Sequence, residues 1–345
     1  MTSTLTAPAP AGPSTVRPGL PVAVLGLGVD LPAEVVTNDD LAKVLDTSDE
    51  WIRTRTGIAQ RHVADAADAT SDLAARAAQR ALDDAGIAAA DLGLLLVATT
   101  TPDHPIPGTA PLVAARLGVE VAALDVNAAC SGFVYGLQLA AGSVLATGAP
   151  VLLVGAETLT RVVDPADRTV RVLFGDGAGA VVLGADDRGS LGPFDLGSDG
   201  TDPSILWREA TGTRLPVADD DAGRTYLTMR GREVYRNAVQ RMAASSRAVL
   251  EAAGLGLDDV DLFVGHQANK RILDAVVDRL GMPPERCHVT VDRHANTSAA
   301  SIPLALADAR AAGRLHPGSR VLLTAFGAGL TWGSTLLTWT TEEPA

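Results

Sequence analysis

The chain has 345 residues, 47% hydrophobic and only 3% aromatic, so a large core must be built from Ala, Val and Leu. A net charge of −13 argues against a nucleic-acid binder, which needs a basic face for phosphates. Two cysteines, Cys130 and Cys287, give neither a disulfide framework nor metal-ligand spacing, and without a run of about 18 apolar residues no membrane span is expected; a reduced cytosolic setting fits.

Residues 1–20, rich in Pro, Thr, Ser and Ala, read as a disordered tail. Val22–Leu27 is a short strand-like run. Ser71–Ala85 has helical spacing and stops at Gly86. Leu92–Val97 is continuously apolar, as expected of a strand buried on both faces. The same order then returns. Ala244–Ala253 is helical and ends at Gly254, and Asp261–Val264 reads as a strand. "RALDDAGIAAADLGLLLV" and "RAVLEAAGLGLDDVDLFV" match in pattern at an offset of 168 residues. "APVLLVGAE" resembles "SRVLLTAFG", and "FGDGAGAVVL" mirrors "FGAGLTWGSTLL". Three matches in one order indicate an internal duplication. The expected architecture is α/β, with two sheets around shared central helices in five layers, α/β/α/β/α. The halves are placed at 21–185 and 232–345, with the Asp-, Gly- and Pro-rich segment 186–231 as an insertion.

Three turns carry candidate chemistry. In "LDVNAACSGFVYGLQLA", Cys130 stands where a helix begins. The helix dipole and free N–H groups are expected to lower its pKa. Read alone, the segment leaves an inert buried cysteine equally open. In "VGHQANKRI", His266 follows a strand and precedes a helix, the strand edge where α/β proteins place active sites. In "DRHANTSAASIPLAL", Asn296 precedes a helix, 166 residues after Cys130 and near the repeat offset. The duplication therefore predicts that both face one pocket, although a helix-capping Asn reads equally well. The loop "AFGAGLTWG" can present N–H groups to an oxyanion. "FGDGAGA" lacks nucleotide-loop spacing and reads as structural.

These segments, with "DTSDEWIRTRTGI", "AACSGF", "GHQAN", "RHANTSAASIP" and "FGAGLTWG", resemble β-ketoacyl-acyl carrier protein synthase III from about Val22 to Thr338. The resemblance implies a thiolase fold, a homodimer and ping-pong condensation of an acyl-CoA with a malonyl-acyl carrier protein, without metal or redox cofactor. Cys130 would carry the acyl group, and His266 and Asn296 would stabilise the enolate formed on decarboxylation. Backbone N–H groups of Cys130 and Ala328 would form the oxyanion hole. Thr47, Trp51, Arg55, Arg168 and Asn269 would bind CoA. Arg236, Arg271 and Arg279 would dock the carrier protein, with Asp278 where a lysine is common. Ile106 would close the acyl pocket across the dimer where Phe is usual, which suits branched or longer primers.

A biosynthetic thiolase would need a second cysteine in the C-terminal glycine loop, and there is none. A hydroxymethylglutaryl-CoA synthase would need a glutamate near Leu92–Thr99, where Val97–His104 offers only Asp103. An acyltransferase passing the group to an O, N or S nucleophile remains the alternative. Retention of all three of Cys130, His266 and Asn296 favours condensation.

Overall fold

The computed structural model describes residues 19–209, 212–213 and 225–341. The first half runs β1 (Val22–Asp30), β2 (Glu34–Thr37), α1 (Asn38–Ala42), α2 (Asp49–Thr56), β3 (Gln60–Val63), α3 (Thr70–Ala85), β4 (Leu94–Ala98), α4 (Thr109–Arg116), β5 (Ala123–Val126), α5 (Gly132–Thr147), β6 (Val151–Thr158) and β7 (Asp176–Ala185). The second runs β8 (Ser190–Ser198), β9 (Leu206–Arg208), β10 (Leu227–Met229), α6 (Gly231–Ala253), β11 (Leu262–Gly265), α7 (Lys270–Leu280), α8 (Val291–His294), α9 (Ser301–Ala311), β12 (Arg320–Gly327) and β13 (Thr331–Thr338).

One sheet has the order β1-β7-β6-β4-β5 and the other β11-β12-β13-β8. Alternate side chains of each strand face opposite layers. Leu153 and Val181 of the first sheet and Val264 and Leu323 of the second pack with α5 and α9 in a central core. Their neighbours Leu152, Val182, Phe263 and Leu322 pack outward, against α3 and α4 on one side and α6 and α7 on the other. The five layers expected from the repeat are therefore present. The helical run Ala129–Thr147 is long and apolar enough to cross a membrane by length and composition; here it lies between the two sheets as α5 and the turn before it.

The duplication extends further than the sequence patterns indicated. β1 and β8 begin 168 residues apart, as do β4 and β11, while α5 and α9 begin 169 apart. α3 and α6 end on Gly86 and Gly254, both left-handed at φ 64° and 67°, where a side chain would be strained.

Two expected boundaries need correction. Segment 186–231 is not simply an insertion: it supplies β8, which pairs with β13 and completes the second sheet. Its Gly and Pro content concealed an edge strand, where Pro193 is tolerated. The expected tail also ends early, because Leu20 pairs with Leu191, each N–H donating to the other's carbonyl. Residues 1–18 lie outside the described residues.

Gly155 of β6 sits against the turn that opens α9. A Cβ added there would meet the Ala299 carbonyl oxygen at 2.3 Å, an impossible contact with backbone. Gly155→Ala is expected to destabilise the protein by about 1–3 kcal/mol, as overpacking does, read as a fall in the midpoint of a denaturant titration.

Candidate active site

The candidate residues converge because two pseudo-equivalent turns meet between the sheets. Ala129–Ser131 forms a tight turn leading into α5, and Ser298–Ala300 forms its counterpart leading into α9. Ala129 and Ser298 hold φ of 47° and 48°, the same uncommon conformation in the two repeats. A cavity of about 790 Å³ opens onto Cys130, His266 and Asn296 and runs outward past Phe174, Asn269 and Arg55 to Trp51. Cys130 and Asn296 thus share one pocket, but they are not equivalent positions of the repeat. The counterpart of Cys130 is Ala299, and that of Asn296 is Asn127.

Hydrogen bonds orient Asn296. Its Oδ1 accepts from the Ser298 N–H at 2.8 Å, which leaves the Nδ2 group as a donor. His266 is oriented in the same way from behind. Its Nδ1 lies 2.6 Å from Ser301 Oγ, which also accepts from the Gln267 N–H at 3.3 Å. Ser301 Oγ, holding the amide on one lone pair, still has its own proton to give to Nδ1, and that arrangement places the ring proton on Nε2. His266 is 2% exposed, and burial pushes its pKa down to about 3. The pair is therefore two neutral donors, suited to stabilising negative charge on a carbonyl oxygen without first holding an ion.

Cys130 corrects the sequence expectation. Burial, followed by the Glu157 carboxylate, pushes its thiol up to about 12 rather than down. What surface it keeps opens into the cavity. The helix start contributes about 0.3–1 kcal/mol, up to about 2 in partly buried sites; desolvation of a thiolate in a site this enclosed is larger. The resting cysteine is a thiol. Cys287 is likewise raised to about 12 by burial and lies outside this cavity.

The Cys130 N–H precedes the bonded ladder of its turn, whose first bonds run from Ser131 N–H to the Ala128 carbonyl and from Gly132 N–H to the Ala129 carbonyl. Gly327 permits the approach of the β12–β13 loop, since a Cβ there would lie 2.6 Å from the Cys130 nitrogen. Thr331 Oγ1 ties the loop down, 2.9 Å from the Ala128 carbonyl and 3.0 Å from that of Ala328. Ala328 thus follows the residue packed on the Cys130 amide.

Residues 124–200 match the family 3-oxoacyl-[acyl-carrier-protein] synthase III, and residues 250–339 match its C-terminal family. A β-ketoacyl-[acyl-carrier-protein] synthase III of Streptomyces coelicolor is 52% identical over 92% of this chain and 97% of its own. The Geobacillus kaustophilus enzyme of that name is 48% identical over 92% and 98%. The chain belongs to the β-ketoacyl-acyl carrier protein synthase III family. The fold agrees. The Pseudomonas aeruginosa synthase III structure superposes with a TM-score of 0.87 at 46% identity, covering 95% of this chain and all of that one. The priming β-ketosynthase of the R1128 polyketide pathway gives 0.89 at 37%, covering 96% and 100%. The layered body is therefore a thiolase fold, and the protein is an acyltransferase of the condensing class.

The outer residues divide. Trp51 and Arg55 line the mouth, with the Arg55 guanidinium 4.5 Å from the Trp51 ring centre and that of Arg168 at 5.3 Å. Asn269 lines the cavity, caps α7 and donates to the Arg55 carbonyl at 3.3 Å. Thr47 is not on the wall, and its hydroxyl is buried without a partner. Arg271 lies at the mouth, 5.8 Å from the Tyr235 ring, whereas Arg236 is exposed on α6 outside the lining. Arg279 is eight residues further along α7, roughly 12 Å away at a helical rise, and beside Asp278 it is not at the mouth. Arg232 does line the cavity and escaped the sequence reading. Ile106 is 89% exposed and takes no part in the cavity of its own chain.

Glu157, Ser298 and Ser301 were also passed over. The signal for Glu157 was available: it is the one charged residue in the fully buried strand β6, where an acid is rare.

A raised thiol makes a specific demand on pH. Alkylation of Cys130 by iodoacetamide, followed by peptide mass mapping, is expected to rise about tenfold per pH unit from about pH 7 to 9 with no plateau, as a thiol titrating well above that window requires. A plateau near neutrality would mean that the helix start outweighs burial.

Proposed function

We propose that Cys130 takes an acyl group from an acyl-CoA and that the loaded enzyme condenses it with a malonyl thioester on acyl carrier protein. The observation that carries this reading is the pairing of a half-buried cysteine, open to the cavity, with two neutral donors, His266 Nε2 and Asn296 Nδ2, on one cavity floor. The Cys130 sulfur attacks the thioester carbonyl, and the coenzyme leaves with the electron pair of its carbon–sulfur bond. The malonyl thioester then occupies the same tunnel with its carbonyl oxygen toward His266 and Asn296. As the carboxylate departs as carbon dioxide, the electron pair passes to the enolate these donors stabilise. The resulting carbon attacks the acyl-Cys130 carbonyl, whose oxyanion is received by the Cys130 and Ala328 amides. A neutral donor pair serves an enolate, while simple acyl transfer to an alcohol, amine or thiol has no need of it. This favours condensation over acyltransfer to another nucleophile. The steps require no metal or redox cofactor.

Trp51 with Arg55 and Arg168 suits an adenine face and its phosphates at the mouth. Arg271 and Arg232 are the cations best placed to meet an acidic carrier. A homodimer is supported by β5, an edge strand carrying the exposed Leu124, and by the exposed apolar side chains of Ile106 and of Leu139 and Leu145 on α5. Such a dimer would bury Ile106 against the partner's cavity, and it suits a cytosolic enzyme.

Intact-protein mass spectrometry with a panel of acyl-CoAs, followed by malonyl-carrier protein, tests the reading. An acyl mass gain absent from Cys130→Ala, then discharged with carbon dioxide and a β-ketoacyl product, is expected. His266→Ala and Asn296→Asp should each slow decarboxylation about 10²–10³-fold, the scale of one lost oxyanion donor, while slowing acylation far less. Discharge onto an alcohol or amine without carbon dioxide would instead establish acyltransfer.

The dimer reading makes a separate demand on Ile106. Ile106→Trp is expected to shift primer choice toward acetyl-CoA by about tenfold or more, the discrimination that filling an apolar pocket supplies, in a competition between acetyl and branched primers. Unchanged primer choice would place Ile106 outside the acyl pocket.

A further inference from the structure

A neutral His266 with its proton on Nε2 leaves one question open: where the Cys130 proton goes. Glu157 is fully buried at the end of β6, and no cation acts on it among the described residues. Its carboxylate only accepts. Thr101 Oγ1 donates at 2.7 Å, Thr100 Oγ1 at 3.0 Å, the Thr100 N–H at 3.1 Å and Thr99 Oγ1 at 3.3 Å. The Thr100 N–H is an obligate donor, and the three hydroxyls can each turn a proton toward the carboxylate, so the setting can hold an anion. The turn that begins at Ser298 packs against both β6, which carries Glu157, and the Ala129–Ser131 turn, which carries Cys130. Ser298 is 2% exposed, its hydroxyl has no partner at full hydrogen-bond geometry, and it lies close enough to draw both acids down against their burial. Its unusual backbone is held by Asn296 Oδ1, so the same amide that frees Nδ2 for substrate also sets the Ser298 hydroxyl.

We propose that Glu157, acting through Ser298, takes the Cys130 proton during acylation and returns it when condensation releases the sulfur. In the first half-reaction the S–H proton passes to Ser298 Oγ as the Ser298 proton passes to Glu157. The sulfur forms its bond to the acyl carbon, and the coenzyme leaves as a thiolate that is protonated by solvent at the mouth. In the second, the new carbon–carbon bond forms and the Cys130–acyl bond breaks with its electrons on sulfur. Ser298 then returns a proton to the sulfur and recovers one from Glu157. The environment favours this. Burial raises the Glu157 pKa, and a carboxylate lifted toward neutrality is a better proton acceptor than one at the surface. The groups acting on Glu157 are the neutral threonine and Ser298 donors, and the titratable group it faces is Cys130.

The idea rests on the acyl-Cys130 reading but fails separately from it. If the unsubstituted protein forms no acyl-enzyme, the proposed function falls; if it does, the variants decide the relay. Acylation is followed by quenched-flow mass spectrometry and decarboxylation by carbon dioxide release. Glu157→Gln removes the acceptor with little change of shape. Ser298→Ala removes the bridge while leaving the threonine bonds to Glu157 in place, and Ala129 at the equivalent turn shows that alanine accepts this backbone. Each variant is expected to lose about tenfold or more of its acylation rate at pH 7 beyond any loss in decarboxylation, with the deficit closing by about pH 9.5 as hydroxide replaces the relay. Should Glu157→Gln fail to fold, Ser298→Ala alone decides. Acylation at the unsubstituted rate, or a parallel fall of both half-reactions without recovery at high pH, overturns the proposal.

Discussion

The site depends on close approach between backbones, which glycines make possible. Gly155 lets β6 close on the turn at Ala299, and Gly327 lets the β12–β13 loop close on the Cys130 amide. In both places the nearest atom to an added Cβ is backbone, which has no rotamer to yield. Because these contacts hold the two turns together, the side chains on them need little further ordering when a substrate enters. Cys130, Asn296 and the Ser298 hydroxyl are carried on the turns themselves, and Ser301 at the first residue of α9 fixes His266 from behind. The geometry is set by the core before the chemistry begins.

That same enclosure sets the charge state. A sequence shows a cysteine at a helix start, and the helix dipole argues for a thiolate. Only the fold shows how much water is removed, and desolvation acts in the opposite direction with greater magnitude. The imidazole responds to the same enclosure by staying neutral. Thiol, imidazole and amide are thus all uncharged at rest, and charge appears on these three and the substrate only as bonds change. In a low-dielectric site, oriented donors then act strongly on the enolate and oxyanion.

Much of this was legible in the chain. The strands β4, β6 and β12 read as apolar runs because both of their faces are buried, and Gly86 and Gly254 marked the same helix end twice. The repeat offset pointed to one pocket for Cys130 and Asn296, although the two are not equivalent positions of the repeat. β8 was not legible, because an edge strand with Gly192 and Pro193 carries the composition of a loop. Nor could spacing show that Arg279 lies a helix length from the mouth, or that Ser301 lies behind His266, since these depend on how α7 and α9 pack. Glu157 was visible as an acid in an apolar strand, but the threonines that hold it come from the end of β4, more than fifty residues earlier in the chain.

The duplication explains how such a site can arise from an ordinary core. Asn127 and Asn296 are counterparts, and each amide oxygen accepts from the N–H two residues on, at 3.4 and 2.8 Å. Each therefore braces a turn with positive φ, a structural task shared by both repeats. The chemistry lies where the copies differ. Cys130 stands opposite Ala299, His266 opposite Ala98, Ser301 opposite Gly132, and Ser298 opposite Ala129. In each pair one copy keeps a small residue, which leaves room for the functional side chain of the other. Two identical turns would bring either two nucleophiles or none to the shared cavity. One reactive sulfur facing two donors requires that the repeats keep their backbone and exchange their side chains, and the glycine contacts hold that backbone in place while they do.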